Sequence, residues 1–108
     1  MTEKPPFRPY KKQIIVCTGD KCAPQTSAGV YQKLKERLKE LNLHQGPERI
    51  QRCQTQCLGI CQAGPIVVVE PDGIWYYDIS SEKMERIIQE HLIKGRPVEE
   101  YVLAKNPG

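Results

Sequence analysis

The stretch Ile66-Val67-Val68-Val69-Glu70-Pro71-Asp72-Gly73-Ile74-Trp75-Tyr76-Tyr77 reads as two β-strands closed into a hairpin. A wholly apolar β-branched run and an aromatic-rich run flank Glu-Pro-Asp-Gly, and Asp-Gly between such runs is a strong turn signal. Immediately upstream, residues 53–64 contain Cys53, Cys57, Cys61, Gly59 and Gly64 with no regular period. Such a segment is expected to be a loop shaped by whatever its cysteines bind.

Further out, Gln13-Ile14-Ile15-Val16 is a short β-branched run that stops at Cys17-Thr18-Gly19-Asp20, a strand giving way to a loop. Between about Thr26 and Leu41, Val30, Leu34, Leu38 and Leu41 recur at helical spacing, and Gly46-Pro47 lies past the end as a breaker. Glu48 to Arg52 gives a weak second strand. A second helix, opened by Ser80-Ser81-Glu82 and closed by Gly95, carries Met84, Ile87, Ile88, His91 and Leu92 on one face. In the tail, Val98, Tyr101, Val102 and Leu103 suffice for one docked turn or strand. Residues 1–12 mix Pro5, Pro6 and Pro9 with Lys4, Arg8, Lys11 and Lys12 and read as a flexible basic arm, leaving 13–108 as one domain.

The order β, α, β, loop, β-hairpin, α predicts an α/β (α+β) fold, a small mixed four-stranded sheet covered by two main helices. That layering resembles thioredoxin.

At 108 residues, 39% hydrophobic and 27% charged, the chain is sized and composed as one folded globular domain. No apolar run reaches the length that spans a bilayer, and Met1-Thr2-Glu3-Lys4-Pro5-Pro6 lacks the apolar core of a secretory signal, so a cytoplasmic protein without a membrane partner is expected. A reducing compartment disfavours structural disulfides and favours metal ligation or thiol chemistry for the five cysteines, which by their odd number cannot all pair. The net charge is +3; four thiolates around a diiron core would bring it to about +1, so bulk charge supports no nucleic-acid partner. Lys33, Lys35, Arg37 and Lys39 alternate with Glu36 and Glu40 as on a solvated, ion-paired helix face.

Cys17 and Cys22 are separated by four residues, Cys57 and Cys61 by three. A two-iron cluster takes two thiolates on each iron, so four cysteines from two loops meet its coordination directly. Gly19, Gly59 and Gly64 would let main chain approach a compact cofactor, with N–H groups aimed at the sulfurs. Spacing alone also allows structural zinc or two disulfides. Cys53 stands four residues before Cys57, so on spacing it could replace either neighbour as a ligand.

The segments Cys17-Thr18-Gly19-Asp20-Lys21-Cys22 and Cys57-Leu58-Gly59-Ile60-Cys61-Gln62-Ala63-Gly64-Pro65, with the hairpin that follows, resemble the thioredoxin-like [2Fe–2S] ferredoxins. The related cluster subunits of NADH:quinone oxidoreductase and bidirectional hydrogenases share the four-then-three spacing. The resemblance implies a thioredoxin-like fold and a [2Fe–2S] cofactor held by Cys17, Cys22, Cys57 and Cys61. It further implies one-electron transfer between redox protein partners rather than catalysis, and a homodimer. It leaves Cys53 outside the ligand set, as a small, partly buried apolar residue. The competing class is a thiol/disulfide redox adaptor or sensor with Cys53 as the reactive thiol; a zinc-stabilised interaction module is a third.

His44 and His91 read as surface or packing residues rather than ligands. Trp75, Tyr76 and Tyr77 read as sheet packing before an electron route or dimer face. No Ser/His/Asp triad, phosphate loop or carboxylate pair is present.

Overall fold

The computed structural model describes residues 3–4, 6, 9–17, 24–55 and 64–106. In chain order it contains β1 (Lys12–Cys17), α1 (Pro24–Glu40), β2 (Ile50–Thr55), β3 (Val67–Glu70), β4 (Ile74–Tyr76), α2 (Ser81–Ile87) and β5 (Val102–Lys105). A π-helical segment, Ile88–Ile93, continues α2, and a 3₁₀ turn, Glu99–Tyr101, precedes β5. The strands form one sheet in the order β2-β1-β3-β4-β5; β1 and β2 are parallel and every other pair is antiparallel.

The hairpin forms as its residues require. Val67 pairs with Tyr76, Val68 with Trp75 and Val69 with Ile74. The turn closes on Gly73 at φ +68°, a left-handed conformation that glycine adopts without penalty. Ile66, Val67, Val68 and Val69 are all buried, which is why this central strand is apolar on every residue instead of alternating. Val67 and Val69 join Ile14, Val16, Ile74 and Tyr76 beneath the helices, whereas Ile66 packs with Cys17 and Trp75 in a separate cluster.

Both helices lie on one face of the sheet. Val30, Leu34 and Leu38 of α1 meet Met84, Ile87, Ile88 and Leu92 in the main core. Ser80 caps α2 by accepting the Lys83 N–H, and Gly95 ends the helical run at φ +76° with its N–H on the His91 carbonyl. Arg37 of α1 grips Glu85 of α2 through two nitrogens at 2.7 and 3.2 Å.

Three expectations need correction. The sheet has five strands among the described residues, not four: the tail residues Val102–Lys105 add to β4 with an irregularity at Trp75/Tyr76. β5 is an outer strand with only Val102 packed on the core, so it lacks the apolar alternation that announces a strand. β2 runs from Ile50 to Thr55, beyond the expected end at Arg52, and takes Cys53 out of the loop. It is the other outer strand, and its polar residues Gln51, Arg52 and Gln54 hide it from a hydrophobic pattern.

Candidate metal centre

β1 ends at Cys17, whose side chain is fully buried. Its N–H donates to the Ile66 carbonyl at 2.9 Å, tying the end of β1 to the residue that opens the hairpin. The parallel register sets Cys17 directly beside Thr55, the last residue of β2. The cysteine-bearing segments 18–23 and 56–63 therefore both depart from one end of the sheet, while residues 64–66 return to that same end. Parallel pairing of β1 with β2, made possible by the α1 crossover, is what brings the two departures together.

Of the sequence-predicted ligands, Cys17 is described; Cys22, Cys57 and Cys61 lie outside the described residues. Cys53 is half-buried within β2, paired in register with Ile15, and its thiol donates weakly to the Gln54 carbonyl at 3.6 Å. It shares a sheet face with Cys17 but stands one strand over and two residues back. Strand geometry puts the two Cα atoms about 8 Å apart, outside the span of a disulfide. Among the described residues no three Cys, His, Asp or Glu side chains converge on a common metal position.

The two histidines are accounted for without a metal. His44 lines a polar groove between α1 and β2. His91 is fully buried, with Nδ1 2.7 Å from the Tyr76 hydroxyl and Nε2 2.6 Å from Oδ2 of Asp72. Lys12 Nζ donates to the same Asp72 oxygen at 2.8 Å, and the Tyr76 hydroxyl accepts the Val98 N–H at 3.1 Å. Burial pushes the His91 imidazole down from 6.5 despite its bond to Asp72. Burial of Asp72 opposes ionisation, but hydrogen bonds from Lys12 and His91 outweigh it and hold the carboxyl below 3.8. Desolvation pushes the Tyr76 phenol up to about 12. Sequence reasoning missed this chain of contacts, because each contact joins residues 15 to 60 positions apart and its members share no periodicity. Tyr76 belongs to the main core beneath the helices, whereas Cys17 belongs to the separate cluster with Ile66 and Trp75.

The fold and this arrangement define a small α+β domain with cysteine-bearing segments gathered at one end of a mixed sheet. The model of the thioredoxin-like [2Fe–2S] ferredoxins matches residues 6–92. A [2Fe–2S] ferredoxin of Aquifex aeolicus is 32% identical over 105 residues, covering 87% of this chain and 90% of that protein. One from Clostridium pasteurianum is 31% identical over 93 residues, covering 82% and 91%. A subunit of the NADH-quinone oxidoreductase of Rickettsia felis is 33% identical over 85 residues, with 75% of this chain and 48% of that protein covered. The solved thioredoxin-like [2Fe–2S] ferredoxin from Aquifex aeolicus superposes with a TM-score of 0.78 at 31% identity, over 90% of this chain and 94% of that one.

The chain belongs to the thioredoxin-like [2Fe–2S] ferredoxins, iron–sulfur electron carriers whose cofactor is a [2Fe–2S] cluster. The surroundings of Cys17 fit such a group. A thiolate is the ligand type an iron–sulfur cluster takes, and burial against Ile66 and Trp75 supplies the water-poor, apolar wall that protects one.

Proposed function

We propose that Cys17, Cys22, Cys57 and Cys61 hold a single [2Fe–2S] cluster and that the chain carries one electron at a time between redox proteins. The observation that carries this reading is the Cys17–Thr55 register. Cys57 follows Thr55 by two residues and Cys22 precedes Pro24 by two, each a chain reach of at most about 7 Å. Cys61 precedes Gly64 by three, a reach of about 11 Å. These short tethers to described residues support the four-cysteine reading, as does the position of Cys53 within a strand.

When bound, the cluster supplies reversible one-electron uptake. The protein's share is positional. The Cys17–Ile66 hydrogen bond fixes one ligand against the hairpin, and Ile66 and Trp75 restrict water beside it. No acid, base or nucleophile is needed, in keeping with a carrier rather than a catalyst. We take the reducing cytoplasm as its compartment; among the described residues no helix is long and apolar enough to cross a membrane.

We further propose a homodimer. Its support is the sheet face opposite both helices, where Ile15 and Trp75 remain half-buried and no described helix covers them. A second copy would complete that face, and sedimentation of the holoprotein should give twice the chain mass.

Protein purified without oxygen should be brown, with visible charge-transfer bands that bleach on one-electron reduction and with about two irons and two sulfides per chain. Colourless protein containing zinc, or free of metal with two disulfides, would overturn the proposal.

A further inference from the structure

The near-neutral total charge conceals a division along the chain. Residues 1–55 hold 11 of the 16 Lys and Arg but only 5 of the 13 Asp and Glu, whereas residues 56–108 hold 5 and 8. Sheet order converts this into geometry, since β2 and β1 lie at one side and β4 and β5 at the other. Counting only described residues, 9 Lys and Arg stand against 4 Asp and Glu in 1–55 and 5 against 8 in 56–108, so the β2 side of the sheet is the more basic.

On the basic side, α1 presents two contrasting edges. Toward α2, Lys33 and Arg37 reach Glu85, and Arg37 also pairs with Glu40. Toward β2, Tyr31, Lys35 and Lys39 succeed one another at four-residue intervals and so form a single stripe. Lys35 and Lys39 are exposed and have no anionic partner among the described residues. Glu36, the nearest carboxylate on the helix, is occupied by Gln32 at 3.0 Å.

Arg52 extends the stripe onto the sheet. Its guanidinium donates to the Tyr31 hydroxyl at 3.0 Å and lies 5.8 Å from the ring centroid, so an exposed cation is held in place without neutralisation. Beneath it runs a groove of about 600 Å³ lined by Leu38, His44, Gln45, Arg49, Gln51 and Arg52. The groove follows an outer strand. Ile50 turns its N–H outward to the Leu43 carbonyl, so the main-chain groups of Arg52, two residues on, also face away from β1. An extended peptide could pair there. Arg52 lies three residues, about 10 Å of strand, from the end of β2 where the cysteine segment departs.

We propose that the Tyr31–Lys35–Lys39–Arg52 stripe along the edge of β2 is the docking surface for an acidic segment of a redox protein partner. This rests on the electron-carrier reading and adds the partner's chemistry to it. Uncompensated cations beside a groove attract carboxylates and an outer strand accepts extended main chain; Arg52 is the member of the stripe nearest the cysteine end, and the groove extends from it toward the start of β2.

The test uses full-length holoprotein and a fluorescent glutamate-rich peptide of about 20 residues, with binding read by anisotropy. Binding should weaken about tenfold or more between about 20 and 200 mM salt. Reversing Lys35→Glu together with Arg52→Glu should weaken it at least tenfold at low salt, whereas Lys94→Glu with Arg96→Glu, an equal charge change on the other flank, should alter it less than twofold. Equal losses in both double variants would reduce the effect to net charge and overturn the proposal, as would absence of binding to the wild type. A second copy of the chain titrating the stripe, seen as salt-sensitive oligomers lost in the Lys35/Arg52 variant, would also overturn it. The visible spectrum of each sample is recorded in parallel. A colourless wild type contradicts the carrier reading, while a normal spectrum with no peptide binding contradicts only the docking surface.

Discussion

Asp72, in the turn between β3 and β4, lies 2.6 Å from the buried Nε2 of His91, and that pairing specifies the imidazole's tautomer. The Tyr76 hydroxyl already accepts from Val98 N–H, so its proton goes to Nδ1 of His91, and Nε2–H is left to donate to Asp72. Neutral His91 thereby satisfies every partner, linking the helix to the hairpin turn, β4 and the tail.

Protonating His91 would put two donors on the Tyr76 oxygen and leave the phenol proton without an acceptor. Because burial holds the folded imidazole below 6.5, the unfolded chain binds the proton more readily, and stability is complete above pH 6.5 and declines as pH falls below it. Asp72, also depressed, contributes above 3.8 and loses its share only at lower pH. The thermal midpoint should therefore drop between pH 7 and pH 5.5, and an NMR titration should show His91 protonating below 6.5. A flat midpoint over that interval would contradict the tautomer assignment.

Tyr76→Phe removes the hydroxyl but leaves Val98 N–H and His91 Nδ1 buried without it. Stability should fall by about 1–3 kcal/mol, the usual cost of orphaned buried polar groups. Denaturant unfolding of the variant against the wild type measures this.

Leu34 is fully buried where α1 crosses the main core. Leu34→Ala should cost about 2–5 kcal/mol through lost transfer energy and residual cavity. Leu103, 44% exposed on β5, should tolerate the same change within about 0.5 kcal/mol. Denaturant midpoints of the two variants check the contrast.

Gly73 combines φ +68° with the main chain of Asn106 packed where a Cβ would stand, and its carbonyl accepts the Asn106 N–H at 2.7 Å. Gly73→Ala should loosen the tail from the hairpin. Amide exchange at Asn106 and Ala104 should accelerate, while exchange in β1 and α1 remains slow.

The legible parts of the fold are those where burial dictated residue type. Ile66 to Val69, the Val30-Leu34-Leu38 stripe and the Met84-Ile87-Ile88 face are apolar because each meets the core. The outer strands were harder to read, since Gln51 and Arg52 on one side and Ala104 and Lys105 on the other need satisfy only main-chain pairing. The π-helical close of α2 is likewise silent in the pattern, because His91 and Leu92 remain on the buried side in either helical form. For the cysteines, spacing alone left zinc, disulfides and a cluster open and could not separate Cys53 from its neighbours. Only pairing in register with Ile15 places Cys53 inside β2.

Iron and acid-labile sulfide per chain, determined for the five single Cys→Ala variants purified without oxygen, test the ligand assignment most directly. About two irons and two sulfides are expected for Cys53→Ala, as for the wild type, with loss or severe depletion for Cys17→Ala, Cys22→Ala, Cys57→Ala and Cys61→Ala. A Cys53→Ala protein without its cluster, or a Cys57→Ala or Cys61→Ala protein that keeps it, would contradict the four-ligand assignment.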